Sequence, residues 1–173
     1  MIHLHTPITT EDVTKLKVGK KVLITGTIYT ARDAAHMRLV KDSNPKFTID
    51  GSVIFYVGPT PPRDGVVIGA SGPTSSYRMD TLAIPLMEQG LKIMIGKGDR
   101  SEAFREEMIK NKSVYLIATG GAGALLSSRI MTSEVIMYED LGPEAIRKLK
   151  VKEFPCFVAY DIHGGNIFKQ WKI

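Results

Sequence analysis

The chain has 173 residues, 43 % of them hydrophobic and 24 % charged, enough to bury a core without disulfides and too apolar for a disordered class. Its one cysteine, Cys156, cannot form an internal disulfide or by itself hold a zinc ion or an iron–sulfur cluster, and in the apolar run FPCFVAY it reads as a buried thiol. The formal net charge of +5 suits an acidic partner or a small anion, while basic residues spread thinly among few aromatics argue against nucleic acid.

The opening MIHLHTPITTEDVTKLK lacks a basic region followed by an apolar core, and no later apolar run approaches the roughly 20 residues of a membrane helix. A cytoplasmic chain without a membrane segment is expected. TPITTEDVTKLKVGK predicts a short helical turn with polar caps, leading into a β-branched strand over residues 21–31. RDAAHMRLVK shifts to helix formers, with Asp33 as its cap. GSVIFYVG and GVVIGAS predict two short strands, separated by the loop PTPPRD. From Ser75 the period changes: Met79, Leu82, Ala83, Leu86 and Met87 mark an amphipathic helix that ends at Gly90 and is kinked at Pro85. LKIMIG reads as strand, and DRSEAFREEMIKN as helix with a capping-box spacing from Asp99 to Glu102. SVYLIATGGAGALLSSRI repeats strand, glycine turn and short helix. SEVIMYE predicts a strand and PEAIRKLKV a helix with Pro143 in its first turn. FPCFVAYDIHGGNIFKQW predicts a closing hairpin that turns at His163, Gly164, Gly165 and Asn166. The class is α/β with mixed strands, in one compact domain over residues 1–173.

Four strand-to-helix junctions carry unusual residues: TGTIYTARDAAH, GASGPTSSYRMD, IGKGDRS and ATGGAGA. In open α/β sheets ligands bind where strand carboxyl ends meet helix starts, whose free N–H groups attract anions. Three of the junctions carry a cation: Arg32, Arg78 and Lys97. Arginine grips a carboxylate at two points and lysine acts as a point charge, so on one edge they would seat a molecule with two carboxylates. Any one of these arginines alone is more often a solvated loop residue, and Asp33 and Asp80 read as partners that hold Arg32 and Arg78 in place. His36 reads either as a capping or core histidine or as a proton shuttle. GGAGA lacks the Lys-Ser/Thr ending of a nucleotide loop, and the spacings of His3, His5 and His163 do not suggest a metal site. The residues alone describe an anion-binding α/β domain.

At these same junctions TGTIYTARDAAH, GPTSSYRMD, GKGDRS, TGGAGALL and FPCFVAYDIHGG resemble, in order, the β subunit of class I fumarate hydratases, a family that includes L(+)-tartrate dehydratase. The resemblance covers roughly residues 5–170. Its Arg-Met-Asp and charged GKGDRS motifs look more like fumarase than like tartrate dehydratase. It implies a swivelling β/β/α domain that corresponds to the carboxyl-terminal part of single-chain enzymes. It also implies a partner α subunit, which carries the [4Fe-4S] cluster on its own cysteines, in an α2β2 heterotetramer with the active site between subunits. No residue of this chain is expected to ligate metal.

The implied chemistry is the reversible hydration of fumarate to (S)-malate, with L-tartrate as the alternative substrate and a non-catalytic anion-binding domain as the alternative class. By the same resemblance Arg32, Arg78 and Lys97 bind the substrate carboxylates, and Thr74, four residues before Arg78, is the candidate base. A threonine hydroxyl is a poor base at neutral pH without an activating neighbour, so His36 and Asp33 stand as alternative bases or relays.

Overall fold

Alternation along the strands sorts their side chains into two buried cores. A computed structural model describes residues 1–69, 71–118 and 123–170. Its strands are β1 (Ile2–His5), β2 (Lys21–Thr30), β3 (Val53–Phe55), β4 (Ile93–Gly96), β5 (Val114–Ile117), β6 (Ile130–Met137) and β7 (Ile146–Tyr160). They form one mixed sheet in the order β1-β2-β3-β4-β5-β7-β6, with a further pairing of β2 to β7. β2, β3, β4, β5 and β7 thus join into a ring, which removes edges that would otherwise expose unpaired backbone. β1 through β5 run parallel to their neighbours, and β7 runs antiparallel to β2, β5 and β6.

Residues at every second position share one face of a strand. Val22, Ile24, Ile28, Val53, Phe55, Ile93, Ile95, Val114, Leu116, Phe154, Cys156 and Val158 form one buried cluster drawn from all five ring strands. The alternating residues Ile54, Tyr56, Met94, Tyr115 and Tyr160 belong to the second cluster. That cluster is covered by Ala35 and Leu39 of α2 (Asp33–Leu39), Ala83, Leu86 and Met87 of α3 (Asp80–Glu88), and Phe104 and Met108 of α4 (Glu102–Lys110). Shorter helices are α1 (Thr10–Thr14), α5 (Gly123–Ser128) and α6 (Ile167–Gln170).

Several expectations change. β1 was not predicted; its four residues pair with residues 22–25 of β2. GVVIGAS is not a strand where it is described: Val66 and Val67 are half-exposed in a turn region, outside any ladder. PEAIRKLKV is not a helix. Residues 139–144 make a 3-10 turn containing Pro143, and residues 146–151 belong to β7, paired with β2 on one edge and β6 on the other. Two-sided pairing outweighs the helical propensity of Lys, Arg and Leu. The hairpin keeps its turn, where the Asp161 carboxylate accepts from the N–H groups of His163 and Gly165, but α6 follows it and only Asn166 bridges back to Tyr160. α3 runs through Pro85, after a 3-10 turn over Ser76–Met79. The cap of α4 is Ser101, whose Oγ accepts from Phe104 N at 3.1 Å, in place of Asp99. Asp33 is the first residue of α2, and Arg32 occupies the cap position without a side-chain bond.

Candidate active site

The carboxyl ends of three adjacent parallel strands bring the three cations together. β2 leads to Arg32, β4 leads to Lys97, and the segment after β3 returns between them carrying Thr74 and Arg78. Arg32, Asp33, Pro73, Thr74, Ser75, Arg78, Met79 and Lys97 line one cavity of about 200 Å³. Segment 73–76 lies along the end of β4 like an extra strand. Ser75 bridges Lys97 in parallel fashion, Ser76 N donates to the Lys97 carbonyl at 3.0 Å, and Lys97 N donates to Ser76 Oγ at 2.9 Å. Gly96 permits this approach, because a Cβ there would overlap the Ser76 hydroxyl.

Thr74 is held by its backbone N–H and its hydroxyl, both donating to the Tyr56 carbonyl at 2.9 Å. A carbonyl fixes this hydroxyl but cannot take its proton, so Thr74 is oriented here and not activated. Asp33 stands between the arginines, with Oδ1 4.0 Å from Arg32 Nε and Oδ2 3.9 Å from Arg78 Nη1. Arg32 Nε is also 3.7 Å from Glu144 Oε1, and neither buried atom has a hydrogen bond. Arg78 is 56 % exposed, and Lys97, also exposed, has no ion pair among the described residues. Three cations against the carboxylate of Asp33, with Glu144 beside Arg32, leave the site net positive.

His36 does not line this cavity. It is buried one helical turn behind Arg32, its Nδ1–H donating to the Arg32 carbonyl at 2.7 Å, its ring edge-on to Tyr56, and its Nε2 without a partner. Burial pushes its pKa down to about 4, with the Arg100 charge acting in the same direction and the Arg32 carbonyl and Asp33 opposing. At neutral pH it is an uncharged ring that secures the backbone of Arg32. The fourth junction, ATGGAGA, falls partly on residues 119–122, outside the described residues; Gly123 within it accepts from Ser71 N at 3.3 Å.

Sequence reasoning paired Asp80 with Arg78. The structure pairs it with Arg100, whose buried Nε donates to Asp80 Oδ1, while Asp80 Oδ2 accepts from Ser101 N at 2.8 Å. Nothing in the spacing of residues 80 and 100 signals this, since only the adjacency of the β3 and β4 exits brings them together. Among the described residues no three His, Cys, Asp or Glu side chains converge as a metal site, and Cys156 is buried in the ring with its thiol pKa raised by burial. These residues do not fit an iron–sulfur cluster held by this chain. No helix of the described residues is long and apolar enough to cross a membrane.

Residues 1–171 match the family model described as Fumarase C-terminus. The chain is 34 % identical over 175 residues to the L(+)-tartrate dehydratase subunit beta of Escherichia coli (strain K12), an alignment spanning 98 % of this chain and 87 % of that protein. It is 36 % identical over 173 residues to a putative L(+)-tartrate dehydratase subunit beta of Methanocaldococcus jannaschii, spanning 94 % and 89 %. The aerobic class I fumarate hydratase of Salmonella typhimurium is 34 % identical over 167 residues, spanning 92 % of this chain but 29 % of that longer protein.

Proposed function

Because the chain belongs to the Fumarase C-terminus family, we propose that it is the β subunit of a two-subunit hydro-lyase that reversibly hydrates fumarate to (S)-malate. The observation that carries this reading is the convergence of Arg32, Arg78 and Lys97 with Thr74 on one net-positive cavity, which suits a C4 dicarboxylate. The reading includes a cluster-bearing α subunit that completes the site, a [4Fe-4S] cluster held by that subunit, and an α2β2 assembly.

In the malate-to-fumarate direction, loss of a C3 proton places a further negative charge on a fragment that is already doubly negative. Cations fixed before the reaction stabilise that charge without reorganising, most effectively once a partner excludes water from the open rim. Arg32 and Arg78 offer planar two-point contacts to carboxylates, and Lys97 a point charge. Thr74 is the candidate acceptor of the C3 proton. To act as base its hydroxyl must first lose its own proton, and the surrounding cations favour the alkoxide. Asp33 is the only carboxylate lining the cavity among the described residues, and is the alternative relay.

A second substrate is favoured by one observation: the relatives that this chain matches over most of their own length are named tartrate dehydratase beta subunits. The deciding experiment is anaerobic reconstitution with the cysteine-bearing subunit of the same organism, following fumarate and L-tartrate, with each subunit alone as control. Fumarate turnover in the mixture alone supports the proposal. Tartrate turnover alone keeps the shared site and replaces the substrate. Assembly without either activity leaves an anion-binding domain, and failure to assemble overturns the two-subunit reading.

A further inference from the structure

Under the cation-lined cavity lies a buried polar layer that the chemistry above does not use. The Arg100 side chain has no exposed area, and Asp80, which accepts its Nε–H, is 13 % exposed. The guanidinium carbon sits 3.6 Å from the ring centre of Phe104, 4.9 Å from that of Tyr115 and 5.2 Å from that of Tyr56. Its two terminal nitrogens lie 3.5 and 3.4 Å from the Tyr56 hydroxyl. The Arg100 backbone N–H is also claimed, by the Tyr160 hydroxyl at 2.6 Å and by Asp99 Oδ1 at 2.9 Å. The Tyr115 hydroxyl donates to the Gly98 carbonyl at 2.8 Å and lies 3.0 Å from Ser76 Oγ.

Each contact ties a segment that carries a site residue. Asp80 ends the stretch bearing Thr74 and Arg78; Arg100 stands three residues beyond Lys97; and Tyr56 gives Thr74 its backbone anchor. A buried ion pair is an inefficient source of stability, since desolvation offsets most of its attraction and apolar side chains of the same volume often do as well. What a directional pair supplies and apolar packing does not is a fixed register between two chain segments.

We infer that Asp80 and Arg100 are positioning residues that set the spacing of Arg78 from Lys97, and so make the cavity a two-point seat for a dicarboxylate in place of a general anion site. This inference rests on the proposed function only in its choice of dicarboxylate. It separates two kinds of loss: a merely structural pair, once weakened, lowers affinity for every anion together, whereas a positioning pair lowers it for anions that must touch both cations at once.

The test uses two unreactive ligands of equal chain length, succinate with two carboxylates and butyrate with one. Their dissociation constants are measured by calorimetry on the full chain, alone and assembled with the cysteine-bearing subunit. Arg100→Lys keeps the charge and loses the forked geometry, and Tyr56→Phe removes one hydroxyl and no charge. For Arg100→Lys succinate affinity is expected to fall about tenfold, with butyrate affinity within twofold of the unaltered chain. Tyr56→Phe shows the same selective loss at roughly a third of that size, and it carries the test if Arg100→Lys fails to fold. Equal losses for both ligands, or none for either, overturn the inference. An unaltered protein that does not prefer succinate to butyrate also overturns it, whatever its turnover. Preference for succinate that collapses in the variants, in a protein that hydrates neither fumarate nor dehydrates tartrate, upholds the inference while the proposed function fails.

Discussion

Arg78 lines the cavity and Arg100 is buried outside its lining, and their environments are opposites. Arg78 is 56 % exposed and reaches Asp33 only at 3.9 Å, whereas Arg100 is wholly enclosed by Asp80 and three aromatic rings. An exposed guanidinium with a distant partner contributes little to folding and stays available to a ligand. A buried one is closed off from any ligand and can act only through what it holds. The first charge costs the fold almost nothing to keep, and the second is costly to leave half-paired, so the two should separate cleanly in measurement.

The sharpest break in that comparison is Arg100→Met, which leaves the Asp80 carboxylate almost buried and without its cation. Removal of one partner of a buried pair destabilises by about 3–5 kcal/mol. Urea unfolding of the isolated chain should show a loss of that size, and Asp80→Asn combined with Arg100→Met should recover part of it. A loss below about 1 kcal/mol would mean that the pair is relaxed by water in solution, and the contrast with Arg78 would disappear.

Arg78→Ala probes the other side. In the reconstituted two-subunit enzyme, kcat/KM is expected to fall about 100–1000-fold, the range for removing one preorganised donor to developing charge. The urea midpoint of the isolated chain should not move. Unchanged turnover would remove Arg78 from the substrate's contacts and leave Arg32 and Lys97 to hold both carboxylates.

His36 sharpens the comparison through pH. Its ring is buried and neutral, with a pKa of about 4 in the folded chain against 6.5 for an exposed histidine. Above pH 6.5 neither state holds the extra proton and there is no penalty. As pH falls from 6.5 the unfolded chain takes up the proton first, so the folded state loses stability until about pH 4, by roughly 3 kcal/mol in all. His36→Gln keeps a donor for the Arg32 carbonyl and cannot titrate, so unfolding curves of the two proteins should converge between pH 7 and pH 4.5. Parallel curves across that range would show that water reaches the ring.

The same contrast explains what was legible in the sequence. Arg32, Asp33, Arg78 and Lys97 could be picked out because each stands at a junction of unusual residues between apolar and helix-forming runs, although the strand read before Arg78 does not form, and the role of Thr74 rests on the family resemblance. Nothing local marks Asp80 as the partner of Arg100, because their meeting depends on β3 and β4 being neighbours in a ring, and strand order is not written in periodicity. PEAIRKLKV misled for a related reason: its residues form good helix in isolation and strand only because β2 and β6 flank them. The sequence leaves His36 open between core and shuttle, since its burial depends on Tyr56 and Arg32, placed around it by tertiary packing.

The smallest effect lies far from both regions and serves as their control. Thr9 caps α1 by a reciprocal box, its Oγ1 accepting from Asp12 N at 3.1 Å while Asp12 Oδ2 accepts from Thr9 N at 2.9 Å. Thr9→Ala leaves one helix-start N–H without its side-chain acceptor and should cost about 1 kcal/mol in urea unfolding. Neither turnover nor the succinate-to-butyrate ratio should respond, because α1 holds none of the segments that carry the cations. If this small destabilisation did alter the ratio, the selectivity of the cavity would track global stability, and the distinct role assigned to the Asp80–Arg100 pair would have no basis.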